Sequence, residues 1–274
     1  MKKRIRMILM GATAAVLIIS LFVKNNPAYA ADILNVHGVN LWQESKARVI
    51  GGTTYVSLRT LAEILVPSAQ VSWRDGSAWV EGKNICIEAR PGASYLTVND
   101  RVFYVPQGIR NESGSVLVPL RTLSETLGSK VSWSVEDGVV LVPGSGVPQP
   151  APYREDEVYW LSRIISAESR GESLEGKLAV GTVVLNRVAS EEFPNTIYGV
   201  IFDREWGVQF QPVANGTVYD EPTMESILAA KMVLEGARVA GDSLYFLAPE
   251  LTSNHWIMEN REFVTTIGVH WFYR

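Results

Sequence analysis

Apolar residues recur at helical spacing early in the second half of the chain, and one carboxylate interrupts them. Leu161, Ile164 and Ile165 share one face of a predicted helix, and Glu168 continues that face because it follows Ile164 by four residues. Such a position normally carries an apolar side chain that packs into the core. We therefore expect Glu168 to be half-buried against Ile164 and Ile165. Its pKa should then be raised, since desolvation disfavours the charged form of a carboxyl group.

The helix that carries Glu168 is predicted to begin near Glu155, because three acidic residues there suit a helix N-terminus. Gly171 indicates where it ends or distorts. A second helix is predicted over LEGKLAVGTVVLNRV, in which the small residues Ala179 and Gly181 allow close helix packing. A salt bridge of Glu168 with Arg163 or Arg170 is the alternative to a functional carboxyl, since structural ion pairs also perturb carboxyl groups.

The first half of the chain shows a different pattern, which occurs twice. The segments TTYVSLRTLAEIL and SVLVPLRTLSETL each join a β-rich run to a helical run, and each is followed by a V-S-W strand, a D-G turn and another strand. Each unit is too small to bury both of its faces, so we predict one domain of two β-α-β-β repeats. Arg59 and Arg121 are equivalent in the two copies. We expect them to close the helix start by hydrogen bonding, and anion binding is the alternative.

The composition of other segments predicts the domain boundaries. Residues 1–30 combine a basic start, an apolar run and an A-Y-A cleavage signal, which is typical of a signal peptide; an uncleaved membrane anchor is the alternative. Both place the remainder of the protein outside the cytoplasm. The Pro- and Gly-rich residues 144–155 form a predicted linker. It separates a first domain, residues 31–143, from a second domain, residues 156–274.

Charge and metal-ligating residues exclude several classes of function. Of the 25 basic and 29 acidic residues, five basic ones lie in the first 30 positions, which leaves a net charge of −9. That charge does not suit nucleic acid, which needs a basic footprint. Cys86 is the only cysteine, so no internal disulfide is expected. The three histidines form no H-E-x-x-H motif, and we predict neither a metal site nor a cofactor.

The first domain resembles a known family through YVSLRTLAEIL…VSW and LVPLRTLSETLGSKVSW. These segments are similar to the copper amine oxidase N-terminal-like domain of secreted bacterial proteins, over roughly residues 33–142. Copper needs imidazole or sulfur ligands, and this region offers only His37 and Cys86, far apart in the sequence. We interpret the domain as a noncatalytic module. A wall or protein partner and a plain spacer are both open as its role.

The second domain resembles another family along nearly its whole length. AESRGESLEGKLAVGTVVLNRV, FPNTIYGVIF, FQPVANGTV, SLYFLAP and IGVHWFY are similar, in this order, to segments of the SleB/CwlJ-type cell wall hydrolases, which include spore cortex-lytic enzymes. The resemblance implies a mainly helical, lysozyme-like catalytic domain with a small β element, and so an α+β chain overall. It also implies that Glu168, in the family's A-E-x-x-G-E motif, is the catalytic residue.

What the resemblance implies about chemistry is cleavage of the peptidoglycan glycan strand between N-acetylmuramic acid, or its lactam, and N-acetylglucosamine. In a lytic transglycosylase one carboxyl suffices, because the C6 hydroxyl of the substrate closes an anhydro ring. A hydrolase needs a further group to handle water. Candidates for that group are Asp203, Glu205 and Asp220. Two other functions are open: a noncatalytic wall-binding protein and an N-acetylmuramoyl-L-alanine amidase, which would need a metal.

Aromatic faces and amides are the expected means of holding a glycan. The resemblance points to Phe210, Gln211 and Asn215 in one segment, and to Tyr245 and Phe246 in another. Core packing is the alternative for each aromatic residue. The chain departs from the family at Ala248, where an asparagine is more usual; Trp256 is a candidate for compensating sugar contact. His270 is expected to have a structural, hydrogen-bonding role.

Overall fold

The computed structural model describes residues 34–36, 39–40, 47–134, 138–142, 144, 146–205, 207–252 and 255–274. The predicted signal peptide and His37 lie outside the described residues. Among the helices described, none is both long and apolar enough to cross a membrane.

The N-terminal region, residues 34–142, is rich in strands. Its two helices, as far as the structure describes them, are α1 (Leu58–Leu65) and α2 (Leu120–Thr126). The strands are β1 (Leu34–Val36), β2 (Val39–Asn40), β3 (Ala47–Ile50), β4 (Thr53–Ser57), β5 (Gln70–Arg74), β6 (Ser77–Gly82), β7 (Ile85–Ala89), β8 (Tyr95–Val98), β9 (Arg101–Tyr104), β10 (Arg110–Glu112), β11 (Ser115–Pro119), β12 (Lys130–Ser134) and β13 (Gly138–Val142).

The described strands of this region form sheets in the orders β12-β13-β1-β2, β10-β11-β4-β3 and β5-β6-β7-β8-β9. The strands that precede the two helices, β4 and β11, pair with each other in antiparallel fashion, with Val56 opposite Val118. Ser57 begins α1 by accepting a hydrogen bond from the backbone N–H of Thr60. The leucines of both helices then pack into one shared core.

The C-terminal region, residues 155–274, is mainly helical. Its elements are α3 (Glu155–Ser169), α4 (Leu174–Ala189), α5 (Ile197–Phe202), α6 (Gln211–Asn215), a 3₁₀ turn (Thr217–Tyr219), α7 (Met224–Leu234), β14 (Tyr245–Leu247), α8 (Trp256–Asn260), β15 (Phe263–Ile267) and β16 (His270–Tyr273). The three strands form a small sheet in the order β14-β16-β15. The expected combination of a β-rich first half and a helical second half is confirmed.

Small residues bring the central helices of this region close together. A Cβ atom added at Gly181 of α4 would lie 2.9 Å from a methyl carbon of Ile165 on α3 and 3.0 Å from one of Val233 on α7. Any larger side chain would force these helices apart. The expected close packing at this glycine is therefore present, and it fixes the position of the C-terminal half of α3.

The two regions are in direct contact through the β8–β9 hairpin, which packs on α7. Val102 of β9 is buried in the core of the C-terminal region. The Arg101 guanidinium binds the Glu235 carboxylate through two hydrogen bonds, Nε to Oε1 at 2.6 Å and Nη2 to Oε2 at 2.5 Å. The Lys231 ammonium donates to the carbonyl oxygen of Asp100 at 2.9 Å. The Arg101–Glu235 pair is nearly fully buried, so it holds the two regions in one relative orientation.

Candidate active site

Glu168 lies in the last turn of α3, on the side of the helix that faces the core. Leu161, Ile164 and Ile165 are completely buried, and the Glu168 side chain continues their stripe as a half-buried group. Burial raises the pKa of the Glu168 carboxyl from 4.5 to about 7, and the positive charge of Arg187 acts in the opposite direction. Near neutral pH this carboxyl therefore holds a proton in a large fraction of the molecules, as a general acid must.

The alternative interpretation, in which Arg163 or Arg170 neutralises Glu168, is wrong. Both guanidinium groups are engaged with Glu221: Arg163 Nη2 donates to Glu221 Oε1 at 2.8 Å, and Arg170 Nη2 donates to the Glu221 carbonyl oxygen at 3.0 Å. No described side chain forms an ion pair with Glu168. Its carboxyl group is therefore free to exchange a proton with a bound molecule.

Arg187 is the residue of this site that the sequence analysis missed. It is only 5% exposed, and its Nε donates to the carbonyl oxygen of Leu244 at 2.7 Å. Its guanidinium carbon lies 5.1 Å from the ring centre of Phe210 and 5.5 Å from that of Tyr245. Burial lowers the pKa of Arg187 to about 10, so the group stays charged at neutral pH.

A sequence signal for Arg187 exists. Arg187 follows Val180 by seven residues and Val184 by three, so it lies on the buried face of α4. This is the same signal that indicated Glu168, namely a charged residue at an apolar helical position.

Tyr245 connects Arg187 to a second arginine. Its ring is half-buried, and its hydroxyl accepts a hydrogen bond from Arg261 Nη2 at 3.0 Å. The Arg261 guanidinium also lies 4.6 Å from the Tyr245 ring centre and 5.2 Å from that of Trp256. Trp256 is half exposed at the start of α8. Tyr245 is therefore fixed between Arg187 and Arg261, and the half-exposed ring of Trp256 lies on the other side of Arg261.

The other two aromatic candidates pack inside the protein. Phe210 is only 2% exposed, and its ring centre lies 6.4 Å from that of Phe246. Phe246 stacks on Phe272 at 5.9 Å. These placements favour packing over sugar contact for Phe210 and Phe246, because their faces are already covered by other rings.

The two amide candidates lie at opposite ends of α6. Gln211 begins the helix and is exposed. Asn215 ends it, and its Oδ1 accepts hydrogen bonds from the backbone N–H of Thr217 at 3.0 Å and from the Thr217 hydroxyl at 2.8 Å. Asn215 therefore stabilises the turn after α6, whereas the amide of Gln211 is accessible to a ligand.

The three carboxylates considered for activating water differ in position. Asp203 ends α5, is half-buried, and raises the pKa of Arg187 by its charge, so it lies in the neighbourhood of Arg187. Glu205 and Asp220 are exposed. Within the described part of the chain, no three His, Cys, Asp or Glu side chains are grouped as metal ligands.

We expected His270 to form structural hydrogen bonds, but its Nδ1 atom forms none with the described residues. His270 is 7% exposed in β16, and its buried Nδ1 has no hydrogen-bond partner among the described groups. Its ring instead meets the Phe246 ring edge-on, at 5.3 Å between centres. Burial lowers the pKa of His270, so it packs as a neutral ring.

Comparison with known proteins assigns a family to each half of the chain. A model of the Cell Wall Hydrolase family matches residues 171–273, and one of the copper amine oxidase N-terminal domain matches residues 35–142. Glu168 lies just before the first of these ranges.

Among similar curated proteins is a spore cortex-lytic enzyme of Bacillus cereus, 35% identical over 127 residues, which are 46% of this chain and 48% of that protein. The cell wall hydrolase CwlJ of Oceanobacillus iheyensis is 34% identical over 104 residues, 36% of this chain and 72% of that protein. A solved structure, the catalytic domain of the germination-specific lytic transglycosylase SleB from Bacillus anthracis, is 34% identical, with 46% of this chain and 100% of that chain covered and a TM-score of 0.42.

These matches place the C-terminal region among the cell wall hydrolases. The chain belongs to the cell wall hydrolase family, and its N-terminal region is of the copper amine oxidase N-terminal type. The match spans about half the length of the spore cortex-lytic enzymes.

Proposed function

We propose that this protein cleaves the glycan strand of peptidoglycan between N-acetylmuramic acid, or its lactam, and N-acetylglucosamine, with Glu168 as the general acid. The observation that carries the proposal is a half-buried carboxyl with a pKa of about 7 and no ion-pair partner among the described side chains. Membership of the cell wall hydrolase family supports it. Such a carboxyl can protonate a glycosidic oxygen at neutral pH, which glycosidic cleavage requires.

In the first step the Glu168 proton moves to the leaving oxygen while the bond from that oxygen to the sugar C1 breaks. Positive charge develops on the sugar ring, and Glu168 becomes a carboxylate. The charge of Arg187 favours that carboxylate, because it lowers the pKa of Glu168. The buried guanidinium thus makes Glu168 a stronger acid without removing its proton by a salt bridge.

The second step proposed is ring closure by the substrate itself. The C6 hydroxyl attacks C1, and its proton passes to the Glu168 carboxylate, which restores the starting state. The product is a 1,6-anhydro muramic end, as in a lytic transglycosylase. One carboxyl performs both proton transfers, so no second catalytic group is required. If water replaces the C6 hydroxyl, we propose Asp203 as the assisting carboxylate, because it is half-buried whereas Glu205 and Asp220 are exposed.

Gln211 and Tyr245 are the proposed sugar-binding residues, because both present accessible polar groups in the segments that the family resemblance indicates. We propose a supporting role for three other candidates: the rings of Phe210 and Phe246 pack beneath the site, and Asn215 holds the turn after α6. We further propose that the catalytic domain is lysozyme-like. The N-terminal region is proposed to consist of two β-α-β-β repeats. The protein is proposed to work outside the cytoplasm, at the wall or the spore.

Product analysis tests the proposal. The protein and its Glu168→Gln variant are incubated with purified vegetative peptidoglycan and with spore cortex, and the muropeptides are identified by mass spectrometry. We expect anhydro-muramic ends with the parent protein and a rate about 10²- to 10⁴-fold lower with the variant. Glu175→Gln is the matched control, because Glu175 is exposed in the first turn of α4.

Each other outcome contradicts a stated part of the proposal. Reducing muramic ends would show hydrolysis in place of ring closure. Released peptides with intact glycan strands would show an amidase. Wall binding without any product would indicate a noncatalytic wall-binding protein, and equal rates for the parent and Glu168→Gln would remove Glu168 from the mechanism.

A further inference from the structure

A groove in the N-terminal region has the composition of a ligand site and lies outside the catalytic machinery. It runs between edge strand β5 and the first turn of α1, and the β10–β11 hairpin closes one side. Its volume is 360 Å³, within the range of small-ligand sites. The residues that give it chemical character are Arg59, Ser72, Trp73, Asn111 and Ser115.

Trp73 is exposed on the side of its sheet where core residues lie. Val71 and Trp73 share one face of β5, opposite Val80 and Ala78 of β6, and both partners are buried. Alternation therefore directs the indole toward the core side, yet Trp73 is 56% exposed because nothing among the described residues covers this end of the sheet. An indole face left open above a groove offers a stacking surface to a ligand.

Arg59 differs from its sequence equivalent, Arg121. Arg121 Nη1 donates to Glu125 at 3.2 Å and to the carbonyl oxygen of Val131 at 3.1 Å, so it bonds to the next turn of its own helix and to β12. Arg59 has a glutamate at the same spacing, Glu63, but no ion pair or hydrogen bond of its side chain occurs in the described part of the chain. The Arg59 guanidinium instead lines the groove with Trp73. Arg121 therefore has a structural hydrogen-bonding role, although not at the helix start, and no such role of Arg59 occurs among the described residues.

The three chemical features of the groove match one kind of ligand. An indole face stacks on the C–H face of a sugar ring, and an exposed amide and hydroxyls suit N-acetyl and hydroxyl groups. A free guanidinium binds a carboxylate through two parallel hydrogen bonds. A glycan that carries both N-acetyl groups and carboxylates satisfies all three. Peptidoglycan has this composition, through the N-acetyl groups of its sugars and the carboxylates of its peptide stems.

We infer that the groove between β5 and α1 is a second peptidoglycan-binding site, in which a sugar ring stacks on Trp73 and a carboxylate of the stem peptide binds Arg59. This inference rests on the proposed function, because it takes the polymer cleaved at Glu168 as the ligand. The Arg101–Glu235 pair fixes the orientation of the two regions. Binding at the groove therefore raises the effective concentration of glycan at the catalytic cleft.

Binding measurements on the full chain test the inference. The parent is the Glu168→Gln variant, so that the polymer stays intact, and Trp73→Ala, Arg59→Gln and Arg121→Gln are added to it singly. Pelleting with purified sacculi should show affinity about tenfold lower for Trp73→Ala and for Arg59→Gln. Arg121→Gln, the matched control, should bind as the parent does. All three positions are exposed, and equal thermal unfolding temperatures would show that the variants are folded.

Two soluble probes separate the contributions of the two groove residues. Chitotetraose has N-acetyl groups and no carboxylate, whereas a disaccharide-tetrapeptide from peptidoglycan has both. We expect Trp73→Ala to weaken binding of both probes and Arg59→Gln to weaken binding of the disaccharide-tetrapeptide alone. In ¹⁵N NMR spectra of the parent, the indole N–H signal of Trp73, assigned from Trp73→Phe, should shift on titration with either probe.

Unchanged sacculus binding by Trp73→Ala, or an equal loss in Arg121→Gln and Arg59→Gln, would overturn the inference. So would an unmoved Trp73 signal with both probes. Failure of the proposed function gives a different result. The protein with Glu168 intact would then form no cleavage product, while the binding measurements with Glu168→Gln could still be made and interpreted. With Glu168 intact, Trp73→Ala should cleave insoluble sacculi more slowly than the protein that keeps both Glu168 and Trp73.

Discussion

Replacing Glu168 by glutamine should change the stability of the protein in a way that depends on pH. Glutamine has nearly the shape of a protonated glutamic acid, and it cannot ionise. In the folded protein, burial raises the pKa of Glu168 from 4.5 to about 7. The folded state therefore holds a proton that the unfolded chain has already released between these two values.

The size of the effect follows from the two pKa values. Below pH 4.5 Glu168 is protonated in both states, and the stabilising contribution of its retained proton is fully present. Between pH 4.5 and 7 the folded state binds more protons than the unfolded state, so stability falls as pH rises. The pKa difference corresponds to at most about 3 kcal/mol of unfolding free energy. Because a glutamine side chain cannot ionise, Glu168→Gln does not lose this unfolding free energy as the pH rises.

Urea unfolding of the parent and of Glu168→Gln at several pH values measures the difference directly. We expect nearly equal free energies of unfolding at pH 4.5, and a variant more stable by up to about 3 kcal/mol at pH 8. Glu175→Gln should show no such pH-dependent gain, because Glu175 is exposed. A difference between parent and Glu168→Gln that stays constant from pH 4.5 to 8 would refute the argument that Glu168 is desolvated.

Two further predictions concern contacts away from the catalytic proton. Arg101→Ala leaves the carboxylate of Glu235 buried without its partner, so we expect a loss of about 3–5 kcal/mol in urea unfolding and faster protease cleavage between residues 143 and 156; unchanged cleavage would show that the pair does not hold the two regions together. Gly268→Ala should lower the unfolding temperature, because Gly268 has a φ of +60°, which a residue with a Cβ atom rarely adopts; an unchanged temperature would show that this turn tolerates alanine without strain.

Helical periodicity predicted the central feature of the catalytic site, because the face of a helix is fixed by residue spacing alone. It placed Glu168 on the same helix face as Ile164 and Ile165, and in the structure both isoleucines are buried and Glu168 is half-buried. The same rule identifies Arg187 once the valines of α4 are taken as the buried face. The ring contacts of Arg187 are beyond this rule, since Phe210 and Tyr245 approach it from other elements of the chain.

Other features were unpredictable because they depend on residues far apart in the sequence. Arg101 and Glu235 each look like ordinary surface charges in their own segments, and only the docking of the two regions buries them. The different hydrogen bonding of Arg59 and Arg121 is equally unpredictable from the sequence, since both lie in the same L-R-T-L context and both have a glutamate four residues later. Arg121 bonds to the carbonyl oxygen of Val131 in the strand that packs beside its helix, whereas no such bond of Arg59 occurs among the described residues.

The buried pair between Arg101 and Glu235 also bears on how such chains arise by gene fusion. Each half matches a family model of its own, so an engineered chimera would exchange one half for a homologue. If the replacement half lacks Arg101 or Glu235, the charge of the remaining partner is left buried without an opposite charge. Productive chimeras should therefore transplant the hairpin that carries Arg101 together with the helix end that carries Glu235.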